Sequence, residues 1–121
     1  MTTRSWVFAL IALVTSSSVV APASALECPA PQPLAGHGVL KETPAQIEKA
    51  GEMLSSGDAG EQAETIIADL RNRYPKAENA EIVNYIITAY CPVIAQTATL
   101  SELEKKAKMD QFVHQLMQKI Y

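Results

Sequence analysis

Apolar residues recur along this chain at helical rather than alternating spacing. In "PAQIEKAGEMLS" the positions Ile47, Ala50 and Leu54 share one helix face, with Glu48, Lys49 and Glu52 outside it. Thr43 ahead of Pro44 and Gln46 forms a capping box with proline at the first helical position, so a helix is predicted from Pro44 to about Ser55. Gly51 weakens it and points to a close approach by another element. "SSGDAGEQ" breaks the pattern. Asp58 with Glu61 then caps a second helix over 59–74, striped by Ala63, Ile66, Ile67, Leu70 and Tyr74 and closed by Pro75. Asp69 and Arg73 stand one turn apart and are predicted to pair. Arg71 and Arg73 at the helix end suit its negative pole and read as structural.

From Asn79 the segment "AEIVNYIITAYCPVIAQ" is apolar almost all the way round, the signature of a central, buried helix. Its polar line is thin: Glu81, Asn84 or Tyr85, Thr88, then Pro92. Pro92 cannot donate to the Thr88 carbonyl and its ring crowds that oxygen, so the helix is expected to kink or end there, at about 3 kcal/mol. Ser101 and Glu104 form a further capping box. They open a helix over 102–120 whose apolar face is assigned to Leu103, Ala107, Met109, Phe112, Val113, Leu116 and Ile120, with His114 at its margin. No strand-like alternation is found after residue 25. The expected fold is all-α: a small bundle of about four helices around a central apolar one kinked at Pro92.

The residues before the first helix change this picture in two ways. "MTTRSWVFALIALV" places one positive charge ahead of an apolar run, and Ala23 and Ala25 flank Ser24 as a signal peptidase requires. The run is shorter than the roughly 18 residues of a membrane span. Residues 1–25 are therefore expected to be a cleaved signal peptide and the product to be periplasmic or secreted, with no stable membrane insertion. Leu26 and Glu27 ahead of Cys28 are too bulky for lipid attachment. Next, "CPAPQPLAGHG" carries three prolines and two glycines in eleven residues, which favours extended backbone. The expected organisation is signal peptide 1–25, proline- and glycine-rich tether 26–42, and helical domain 43–121.

Two cysteines in a small exported chain read as one disulfide, Cys28 to Cys91, which ties the tether onto the central helix. Closing a loop of about 60 residues is worth roughly 4 kcal/mol in the chain-entropy picture. A zinc set of Cys28, His37, Cys91 and His114 has none of the usual close ligand pairs. There is no C-x-x-C, so redox catalysis is not indicated.

Removing Arg4 with the signal leaves nine Lys and Arg against thirteen Asp and Glu, a formal charge of minus four. No basic face is available for nucleic acid. "AEIVNYIITAYCPVIA" and "LSELEKKAKMDQF" resemble a group of small exported bacterial proteins with no established function, which implies a periplasmic location and no activity. "RYPKAENAEIVNYI" resembles the turn of a single tetratricopeptide unit, but stacking needs three or more.

With dispersed carboxylates and two isolated histidines, the chain is read as no enzyme and as needing no cofactor. The expected function is a binding or protein-interaction module with an unidentified partner in the cell envelope. Tyr85, Tyr90, Met109, Phe112 and Met117 are the candidate contact residues, each also readable as core. An acid- or envelope-stress chaperone is the alternative, since neutralising the carboxylates below pH about 4 would leave a self-repelling cationic chain.

Overall fold

In a computed structural model, residues 25–29 and 38–121 are described. The expected signal peptide up to residue 24 and the tether residues 30–37, including His37, lie outside them.

Four helices form in the order the periodicity dictates: α1 (Pro44–Ser55), α2 (Ala59–Arg73), α3 (Asn79–Ala95) and α4 (Glu102–Ile120). Each boundary has a local cause. The Gln46 N–H donates to Thr43 Oγ1 and the Thr43 N–H to Gln46 Oε1, completing the box that starts α1. Asp58 Oδ1 accepts from the Glu61 N–H at the start of α2. Ser101 and Glu104 reciprocate at the start of α4. α3 opens differently: the Glu78 N–H donates to Glu81 Oε2, a carboxylate one turn into the helix.

α1 packs on α3 and α2, and α4 packs on α3 and α2, while α1 and α4 make no mutual packing contact among the described residues. α3 and α2 thus lie between the other two. Burial follows: Ile82, Ile86, Ala89, Tyr90, Cys91 and Ile94 of α3 are enclosed, together with Leu54, Ala63, Leu70 and Leu116 from the surrounding helices. Tyr90 meets Phe112 of α4 edge to face, with centroids 4.5 Å apart. The close approach expected at Gly51 is present. A Cβ there would stand 2.5 Å from the Ala89 carbonyl oxygen, so glycine alone lets α1 lie this close to α3.

Cys28 and Cys91 are joined, with Cα atoms 5.5 Å apart, and Leu26 and Cys28 pack against the core. α3 does not end at Pro92. It continues to Ala95, and the Gln96 N–H donates to the Pro92 carbonyl, so the helix carries the proline inside it.

The assigned face of α4 needs correcting. Its inward stripe is Lys105, Met109, Phe112, Leu116 and Ile120, at steps of three and four residues. Leu103 is 77% exposed and Ala107 is also exposed. Both lie two positions, or about 200°, from Lys105 on a 3.6-residue helix, so they face away from the core. Lys105 turns inward because its methylene stem covers apolar surface while its ammonium reaches back to Glu102 Oε1 at 2.9 Å. His114 is exposed and exchanges a hydrogen bond with Gln118.

Candidate functional site: a charged groove between three helices

Arg73 sits at the end of α2, where the helix spacing also places Asp69. Its Nε and Nη2 both donate to Asp69 Oδ2, at 2.9 and 2.7 Å, which bears out the expected pair. Its Nη1 donates to Glu42 Oε1, a residue just ahead of the α1 cap. The guanidinium also lies 5.2 Å from the centroid of the Tyr74 ring. Hydrogen bonding to Asp69, then to Glu42, pushes the already high Arg73 pKa further up, so this cation is permanent.

Glu42, Asp69 and Arg73 border a groove of about 420 Å³ whose apolar floor includes Ala50, Met53, Ile66 and Leu70. Gln46 and Lys49 of α1, Thr65 of α2 and Tyr85 of α3 complete its polar lining. The Glu42 side chain is only 2% exposed, and while Oε1 is held by Arg73, Oε2 is buried with no hydrogen-bond partner. Tyr85 hydrogen-bonds weakly through its hydroxyl to the Gln46 carbonyl, at 3.4 Å. Burial, followed by the Glu42 charge, pushes its pKa up to about 12, which keeps the phenol protonated at neutral pH. The groove therefore offers fixed donors, paired charges and an apolar floor.

Of the candidate contact residues, the structure brings Tyr85 alone into this groove. Tyr90, Met109 and Phe112 are buried in the core, although Tyr90 and Phe112 also line a shallower groove between the start of α2 and α4, and Met117 is 41% exposed on α4. Glu42 and Lys49 were missed. Glu42 fell within the expected tether and Lys49 read as a solvated helix face; nothing local marks either. In the sequence the groove is signalled by the spacing of Asp69 and Arg73 and by the candidate Tyr85.

A second groove, about 380 Å³, runs between α1 and α3 beside Pro92 and is lined by Ile47, Thr88 and Val93 among others. The disulfide occupies both cysteines of the imagined zinc set. Among the described residues no group of His, Cys, Asp and Glu is arranged to hold a metal ion, and no helix is long and apolar enough to cross a membrane. No family model, curated protein or solved structure matches the chain.

Proposed function

We propose that this protein is a non-enzymatic binding module of the exported space, a disulfide-closed helical scaffold that presents the groove between α1, α2 and α3 to a protein partner in the cell envelope. The observation that carries this reading is the combination of an apolar floor with the part-exposed Arg73 guanidinium, held in place between Glu42 and Asp69. Such an arrangement recognises by charge and shape. The protonated Tyr85 is a hydrogen-bond donor at neutral pH rather than a base, and Arg73 is neutralised by its two carboxylates, which suits recognition better than proton transfer.

The experiment is recovery of partners from a periplasmic extract at neutral pH. Wild-type protein is compared with Lys49→Glu and Tyr85→Phe in the groove and with Lys108→Glu on α4. One protein retained by wild type and Lys108→Glu, and lost by both groove variants with helical circular dichroism unchanged, supports the module. Equal recovery by all four removes the groove from the proposal. If no specific partner is found and the protein at pH about 2 to 3 keeps an unrelated client soluble, the chaperone reading replaces it.

A further inference from the structure

Two residues ahead of the disulfide, the chain makes a contact that the binding function does not use. The Leu26 backbone nitrogen donates to Glu102 Oε2 in the first turn of α4, at 3.0 Å. The Leu26 side chain is half-buried against the core, whereas Ala25 is exposed. Cys28 is covalently fixed to Cys91, and the Cys91 Sγ lies 3.9 Å from the Glu27 carbonyl oxygen, so residues 26–28 follow one defined path across α3 to α4. In the sequence, Leu26 directly follows the small residues Ala23 and Ala25 that flank Ser24.

We infer that the chain is processed at the Ala25–Leu26 bond, and that the α-ammonium released on Leu26 forms an ion pair with Glu102 that completes the N-terminal attachment. The inference rests on the exported reading above. In the cleavage a peptidase adds one water across the peptide bond: the C–N bond breaks, Ala25 leaves as a carboxylate, and the Leu26 nitrogen gains the protons that make it an ammonium. A neutral amide donor thereby becomes a cation without leaving its acceptor.

The surroundings fit such a cation. Glu102 Oε1 is taken by Lys105, which leaves Oε2 for the terminus. Pairing with Lys105, and then with the Leu26 nitrogen, already holds the Glu102 carboxyl below its usual range. Lys105 and Lys106 of α4 oppose the new charge, Glu27 of the same segment favours it, and α3 contributes the uncharged Cys91 sulfur. An ammonium beside the start of α4 also meets the positive pole of that helix, and the carboxylate of Glu102 is what offsets it.

The test uses the full chain expressed with its leader in a bacterial host, followed by intact mass and N-terminal sequence of the exported product. Leu26 as first residue is expected. A periplasmic product beginning elsewhere overturns this inference and leaves export standing, whereas an uncleaved chain in the cytoplasm overturns both. On the purified product, the α-amine is titrated by NMR after isotopic reductive methylation. An ordinary α-amino group titrates at about 7.7–8.0, and pairing in a solvent-accessible site raises that by a few tenths of a unit. The rise should vanish in Glu102→Gln and persist in Lys105→Met, which separates loss of the ion pair from disturbance of the helix turn. An unshifted amine in wild type, or an equal rise in Glu102→Gln, overturns the pairing.

Discussion

The two ends of α3 fasten the segment before α1 in chemically opposite ways. At the C-terminal end Cys91 holds Cys28 by a covalent bond inside the core. At the N-terminal end Glu81 holds residues 39 and 40 by charge: its Oε1 accepts from the Val39 N–H at 2.7 Å and the Leu40 N–H at 3.5 Å, and its Oε2 from Glu78. That polar clamp seats Leu40, which is buried. The first attachment answers to redox conditions and the second to protons, so one helix carries two attachments that fail under different stresses.

The largest way to break this contrast is to open the covalent end. Reduction, or Cys91→Ser, is expected to destabilise the domain by a few kcal/mol, somewhat under the roughly 4 of the loop-entropy picture because the denatured chain keeps some structure. Cys28→Ser should cost about the same in denaturant unfolding, since either change opens the same loop. Free reaction of both thiols with an alkylating reagent in the native protein would show that the bond is absent.

Next in size is Gly51→Ala. The new methyl would meet the Ala89 carbonyl oxygen, two residues before Cys91, and α1 would have to move off α3. Overpacking of this kind costs about 1–3 kcal/mol. A neutral or stabilising result, as alanine gives in an unencumbered helix, would mean that the helices are not this close.

A smaller effect is expected at the polar end. Glu81→Gln keeps the shape and loses the charge, at about 1 kcal/mol near neutral pH for a partly exposed, charge-assisted set of hydrogen bonds. The Glu78 N–H, then those of Val39 and Leu40, hold the Glu81 carboxyl below its usual 4.5. A carboxylate with a depressed folded pKa contributes stability that is fully present above 4.5 and is lost as pH falls through the folded value. The difference between wild type and Glu81→Gln should therefore shrink under acid while the cost of Cys91→Ser persists. A gap that stays constant down to pH 2 would refute the electrostatic account of this clamp. The smallest change is Leu103→Gln, expected within about 0.5 kcal/mol in thermal melts because the side chain leaves solvent in neither state.

What could be read beforehand follows the range of the interactions. Caps at Thr43, Asp58 and Ser101 act over three residues and put the helix starts where the structure has them. The disulfide was legible because two cysteines permit a single pairing, and Gly51 because a glycine in a helix interior needs a packing reason. The Glu81 clamp joins residues about 40 positions apart, and backbone N–H groups leave no trace in a side-chain pattern. Leu103 is apolar by composition but stands at the wrong helical angle for the core. Lys105 was passed over because a charged name conceals an apolar stem. The groove was legible only at Asp69, Arg73 and Tyr85, and its buried carboxylate comes from a position ahead of any helix.

The ring closed by Cys28 and Cys91 encloses α1, α2 and most of α3 and leaves α4 outside it. On the exported reading proposed above, a chain leaving a translocation pore N-terminus first can lock that ring before α4 has emerged, so oxidation need not wait for the complete domain. In the finished protein the last helix can detach without stretching any covalent link, baring the Tyr90 side of α3 while the rest stays closed. Amide hydrogen exchange should accordingly run in two tiers under native conditions, α4 ahead of the enclosed helices. Reducing agent should merge the tiers.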